Sequence, residues 1–229
     1  VYVYAQAPFL TMRCFEQIRL DVAYSNVNVK IIGSAAGFRD TQLGVSHHAI
    51  EDIALMRLLP GMTVLSPADP YEAIELTKAS YRLKGPVYIR VGKSGSPSVH
   101  QNRPKIQIGK AVKVGNGDSC TLIATGSILP MAGKIADVLA KENVNASLFS
   151  MHTIKPLDKA LILHEAKRTK RLFTIEEHSI IGGLGSAVAE VLAEATVKII
   201  FLRFGIADRF TSISGSQEYL LAHNGLSVD

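Results

Sequence analysis

The sequence predicts two tandem open α/β domains with mostly parallel sheets. Three observations carry this prediction. Strand-like and helix-like segments alternate from end to end. The alternation is interrupted once, by a Gly-, Ser-, Pro-, Asn- and Gln-rich stretch near residues 92–105. The chain's 229 residues exceed one average domain. A β-α-β-α order with helices between strands makes consecutive strands parallel and puts helices on the sheet faces.

Each element follows from local pattern. Residues 1–5 are rich in β-formers, and 11–24 carry Phe15, Ile18 and Val22 at helical spacing. Residues 27–33 form a β-branched run that ends in a glycine-containing loop over 34–48. A helix is expected over 48–58 with Pro60-Gly61 as its stop, then a strand at 62–65, a helix at 69–83 and a strand at 86–91. Beyond the interruption, strands are expected at 119–124, 145–149, 171–175 and 197–202, and helices at 129–141, 157–166 and 184–194. The predicted division is a first domain over 1–92, a linker over 93–105 and a second domain over 106–229.

Composition narrows the class. Hydrophobic residues at 47% and charged residues at 20% describe a packed chain rather than a disordered one. No apolar run approaches the roughly 20 residues of a membrane helix, and no signal segment opens the chain. A cytosolic location is the default expectation. Cys14 and Cys120 lack metal-ligand spacing and read as buried free thiols. The net charge of +5 is scattered, and the cluster Lys167, Arg168, Lys170 and Arg171 reads as a solvated helix end rather than a nucleic-acid patch. Glu176, Glu177 and His178 alternate faces of a strand, which argues against a shared metal. The Gly182-Gly183-Leu184-Gly185 turn reads as close strand–helix packing rather than a phosphate cradle.

More specific patterns occur in a fixed order. Pro8-Phe9-Leu10-Thr11-Met12-Arg13 leads into a helix, and Gly44-Val45-Ser46-His47-His48-Ala49-Ile50-Glu51-Asp52-Ile53-Ala54 closes the long loop. Ser66-Pro67-Ala68-Asp69, Met151-His152-Thr153-Ile154-Lys155-Pro156, Glu176-Glu177-His178 and Gly205-Ile206-Ala207-Asp208-Arg209-Phe210 follow. As an ordered set these resemble the pyrimidine-binding and C-terminal domains of the transketolase family, above all the second subunit of split transketolases. The resemblance runs over essentially the whole chain.

The resemblance implies a thiamine-diphosphate- and magnesium-dependent enzyme that moves a two-carbon ketol unit from a ketose to an aldehyde, both sugars or sugar phosphates. It implies that Phe9, matching the second aromatic of the family's pattern, packs on the cofactor's aminopyrimidine ring and that Gln6 stands where the first aromatic is expected. It makes His47 the catalytic proton-handling group, since a histidine titrates near neutral pH. His48 becomes a substrate contact, and Lys93 or, failing that, Arg90 a holder of the substrate's anionic tail. Arg39, with Asp40 in the same loop, is a candidate to read a different polar group of the substrate. Ala35 and Leu43 replace a histidine and an aspartate of the usual pattern, so a changed donor or acceptor is expected.

The sequence contains no Gly-Asp-Gly…Asn motif for diphosphate and magnesium. The resemblance therefore implies a partner subunit carrying that motif, in a homodimer or heterotetramer, with the chain inactive alone. It also implies that the front of the pyrimidine-binding domain, with its catalytic glutamate, lies upstream of Val1. Neighbouring readings are a deoxyxylulose-phosphate synthase, a 2-oxo-acid dehydrogenase β-type subunit, or a non-catalytic dimerisation or scaffold module. The His47–Ala54 run favours transketolase over the two enzymes.

Overall fold

The computed structural model describes residues 1–92, 97–100 and 102–228. Strands β1 (Tyr2–Gln6), β2 (Lys30–Ser34), β3 (Thr63–Leu65) and β4 (Val87–Arg90) join β8 (Thr153–Lys155) in one sheet of order β1-β2-β4-β3-β8. Strands β5 (Val112–Gly115), β6 (Cys120–Thr125), β7 (Ala146–Ser150), β9 (Arg171–Ser179) and β10 (Ile200–Ile206) form the second, of order β10-β9-β6-β7-β5. Pairing is parallel throughout, except that β8 joins β3 and β5 joins β7 antiparallel. This is the expected pair of mostly parallel α/β sheets.

Helices cover the faces: α2 (Asp52–Leu58), α3 (Pro70–Arg82), α4 (Leu129–Lys141), α5 (Lys159–Thr169), α6 (Leu184–Glu194) and α7 (Gln217–His223). Their starts follow from local chemistry. Asp69 caps α3 by accepting from Glu72 N–H, with Pro70 in the first turn, and Asp158 and Ser216 cap α5 and α7 in the same way. The basic cluster ends α5, where Lys170 turns left-handed at φ 55°.

Four local expectations change. The helical stretch after β1 holds a single α turn, α1 (Phe15–Gln17), between π-helical segments Phe9–Arg13 and Ile18–Tyr24. Thr11 Oγ1 donates to the Ala7 carbonyl there, competing for an acceptor of the regular ladder. The helix expected from residue 48 begins at Asp52 instead, because residues 45–51 form turns and a bridge that close the preceding loop. Cys14 is exposed, on the outer side of this helical stretch, whereas Cys120 is buried as expected; both are free thiols. Strands β5 and β8 and helix α7 are not among the expected elements, each being too short for its pattern to mark it.

The core is continuous across the two halves. One cluster joins Ile31, Ile53, Met56, Val64 and Tyr88 to Ile123, Ile154, Leu172, Leu184 and Val188. With β8 lent to the first sheet, the two sheets cannot move apart without exposing shared apolar surface. Among the described residues no helix is long and apolar enough to cross a membrane.

Candidate functional site

In parallel α/β sheets, ligands bind beyond the carboxyl ends of the strands. Here β1 ends at Gln6 and β2 at Ser34, and the loop that follows β2 folds back over this end. The loop has a defined neck. Gly37 N–H donates to Ala49 O at 2.9 Å and Ala49 N–H returns the bond to Gly37 O at 3.0 Å. Gly37 and Gly44 lie at φ 67° and 70°, a region open to glycine at little cost, so the chain can reverse twice.

Several side chains converge there. The rings of Phe9 and His47 meet edge to face, 4.9 Å between centroids. The Arg13 guanidinium lies over the Phe9 ring at 4.3 Å. Gln6 Nε2 donates to Asp40 Oδ2 at 3.1 Å, joining the end of β1 to the loop. The Ser46 hydroxyl is 2.9 Å from His47 Nδ1, a contact that orients the ring. Gln6, Phe9, Asp40 and His47 are all half-buried, placed to meet a ligand without dissolving into the core. Arg39 sits next to Asp40 in the same loop.

Two other expected substrate contacts lie elsewhere. His48 is 3% exposed and packs edge to face on Phe38 at 4.9 Å. Burial lowers its pKa, and Nε2 has no hydrogen-bond partner among the described residues. Its ring faces the core rather than the crevice. Arg90 is buried beneath the loop neck, in an ion pair with Asp52 in which the two side chains are 2% and 0% exposed. Its Nε donates to Asp52 at 2.8 and 3.1 Å, and Nη2 donates to the carbonyls of Ala49 and Glu177. Tyr88 Oη donates to the same carboxylate, at 2.7 Å. Arg90 therefore ties loop, helix and second sheet together and presents no face to a substrate. Lys93 lies outside the described residues.

The acidic and histidine residues at the end of β9 divide as alternation requires. Glu176 accepts from Leu184 and Gly185 N–H, filling the N-terminus of α6 that a phosphate would otherwise occupy. Burial raises its pKa to about 7. A Cβ on Gly183 would lie 2.0 Å from Glu176 Oε2, so the glycine turn serves close packing. His178 contacts Ser179 O and Ala54 N–H, and burial lowers its pKa to about 4, which keeps the ring neutral. Glu177 points the other way, to Phe38 N–H, Ser127 and Gln217. Among the described residues no group of three or more His, Cys, Asp or Glu is arranged to hold a metal ion.

Arg13 and Asp52 complete this region, and sequence pattern alone does not single them out. Arg13 stands four residues after Phe9, a helical spacing that could flag the contact. The partners of Asp52 come from a distant strand, and no local signal announces them.

Comparison with known proteins identifies the family. The family model described as the transketolase pyrimidine binding domain matches residues 1–97, and that of the transketolase C-terminal domain matches residues 109–229. The chain is 37% identical to a Phocaeicola vulgatus protein named as a subunit of apulose-4-phosphate transketolase, over 100% of this chain and 73% of that protein. It is 34% identical to a 6-deoxy-6-sulfo-D-fructose transketolase subunit of Clostridium sp. strain MSTE9, over 99% of this chain and 70% of that one. A solved structure described as a split gene transketolase, inactive beta4 tetramer, superposes with a TM-score of 0.90 at 38% identity, covering 99% of this chain and 72% of the other. Sequence and topology agree: the chain belongs to the transketolase family and carries its pyrimidine-binding and C-terminal domains.

Proposed function

We propose that this chain supplies the pyrimidine side of a thiamine-diphosphate-dependent ketol-transfer site, completed in the cytosol by a partner subunit that holds the diphosphate and magnesium. The observation that carries the reading is the contact of Phe9 with His47 at the carboxyl end of β1, with Gln6 bonded to Asp40 beside it. A half-buried aromatic plate bordered by an amide, a carboxylate and an imidazole suits a planar aminopyrimidine: the ring gains apolar contact and its edge finds polar groups. Thiamine diphosphate, when bound, supplies the carbon nucleophile and the electron sink for breaking and forming the C–C bond.

This chain's residues do the rest of the work on their side of the site. Phe9, backed by Arg13, orients the ring. His47, held through Nδ1 by Ser46, takes up or delivers a proton at a substrate hydroxyl through Nε2. Asp40, steadied by Gln6, and Arg39 offer charged groups to the sugar. An anionic end of the substrate falls to Lys93 rather than to the buried Arg90. Where the usual pattern places a histidine and an aspartate, Ala35 is buried and Leu43 is exposed, so neither reads a sugar hydroxyl. By their names, the two relatives act on apulose 4-phosphate and a sulfo-sugar. That supports a changed donor or acceptor, with xylulose 5-phosphate not the best donor.

The test is a ketose-donor screen on the chain assembled with its diphosphate-binding subunit. Turnover is expected from the pair and not from this chain alone. Substituting His47→Ala in the pair should lower kcat by about 10²–10⁴ while cofactor binding persists. An unchanged kcat in H47A, or xylulose 5-phosphate as the best donor, would overturn the corresponding part of the reading.

A further inference from the structure

We infer that Glu177, on the second sheet, is a positioning residue for the site loop carried by the first. Its carboxylate is almost fully buried and gathers three separate elements. Phe38 N–H, 139 residues away in sequence, donates to Oε1 at 2.8 Å. Gln217, the first residue of α7, donates to both oxygens at 2.7 and 2.9 Å. Ser127, in the turn before α4, donates to Oε2 at 3.1 Å. Gly37 is shaped to admit this carboxylate: a Cβ there would lie 2.4 Å from Glu177 Cδ and Oε1.

The same residue holds the other side of the neck through its backbone. Glu177 O accepts from Arg90 Nη2 at 2.9 Å, and that nitrogen also donates to Ala49 O at 2.8 Å. Two residues on, Ser179 N–H donates to Ile50 O at 2.7 Å. Both strands of the Gly37–Ala49 neck are thus fastened to the end of β9. Between them lie Arg39, Asp40, Ser46 and His47. Two backbone bonds inside this span, Leu43 N–H to Asp40 O and His47 N–H to Gly44 O, join near neighbours and do not orient the loop against Phe9. Phe38, anchored by Glu177, also packs on His48, the residue next to His47. The C-terminal domain, through Glu177, therefore holds the neck of the loop that carries His47 to Phe9, while the Gln6–Asp40 bond joins the loop's middle to β1.

The catalytic consequence rests on the proposed function; the clamp itself does not, and the two are tested separately. Hydrogen exchange of the isolated chain reads the clamp. Glu177→Ala should raise amide exchange across residues 38–48 at least tenfold, with β6 and α4 changed less than threefold. Glu177→Gln keeps a carbonyl oxygen for Phe38 N–H and should preserve most of the protection. In the assembled pair, E177A should lower kcat at least tenfold and leave thiamine diphosphate affinity within threefold, and E177Q should recover most of kcat. Loop exchange equal to wild type in a folded E177A chain would overturn the inference, as would equal damage in E177Q and E177A. Should E177A not fold, Gln217→Ala is read the same way: a rise in 38–48 exchange supports the clamp and no change refutes it. A pair lacking ketol transfer with every donor, alongside the expected exchange pattern, would discard the functional reading and keep the clamp.

Discussion

Substituting Arg90→Ala removes the cation at the centre of the molecule and tests whether this arginine is structural. Among the described residues the Asp52 carboxylate, fully buried, would keep only the Tyr88 hydroxyl, and the carbonyls of Ala49 and Glu177 would each lose a donor. Breaking one partner out of a buried ion pair costs about 3–5 kcal/mol, because the remaining charge is uncompensated. With a urea m-value of about 3 kcal/mol/M for a chain of this size, the unfolding midpoint should fall by about 1–1.7 M. Arg90→Lys restores charge but not the fork that reaches Asp52 and both carbonyls, and should recover less than half of the loss. The assay is urea unfolding followed by far-UV circular dichroism. A midpoint lowered by less than about 0.3 M, together with a raised KM for an anionic substrate, would refute the structural role and return Arg90 to the substrate site.

Further outcomes follow from the same geometry. Asp69 accepts from Glu72 N–H as the cap of α3 and from Val99 and His100 N–H, so Asp69→Ala should cost about 2–3 kcal/mol and lower Tm by about 4–12 °C in a thermal melt. His178, lowered by burial to about 4 from 6.5, binds its proton more weakly folded than unfolded, so it withdraws stability as pH falls from 6.5 to 4. Glu176, raised by burial to about 7 from 4.5, binds its proton more tightly folded, so its stability is full below 4.5 and is lost as pH rises to 7. Each spans roughly 3 kcal/mol, and the two slopes oppose between pH 4.5 and 6.5. Relative to wild type, Glu176→Gln should therefore steepen the loss of stability toward acid, and His178→Gln the loss toward neutral pH; identical pH profiles in all three proteins would contradict both shifts. Gly37→Ala should destabilise the chain by more than about 1 kcal/mol, since it combines a left-handed φ with overlap on Glu177, and an unchanged melt would remove the tight fit argued there.

The legible parts of the fold are those whose information is local. Helices 129–141 and 184–194 stand at the predicted residues, because an apolar stripe and flanking glycine or proline mark them. Strand β8 is not legible: three residues of the second half lie antiparallel on β3, and nothing within Thr153–Lys155 announces which sheet they join. The helix expected from His48 shows the same limit, since it starts only after the loop neck has been closed by long-range bonds. In the candidate site, an ordered motif singles out Phe9 and His47, and the structure puts their rings in contact. Arg90 and His48 carry the same chemical signature as ligands, and only tertiary burial separates them from residues that face the crevice. Glu177 belongs to a legible motif, but its partners at 38, 127 and 217 are brought together by the fold alone.

Isothermal titration with thiamine diphosphate and magnesium tests the proposed cofactor site most directly, using the chain assembled with the proposed diphosphate-binding subunit and the same pair carrying Phe9→Ala. Saturable binding by the wild-type pair, none by the chain alone and at least tenfold weaker binding by F9A is the expected result, as loss of an aromatic contact of about 1.5–3 kcal/mol requires. Equal affinity in F9A and wild type, or full affinity in the chain without its partner, would contradict a shared site built on Phe9.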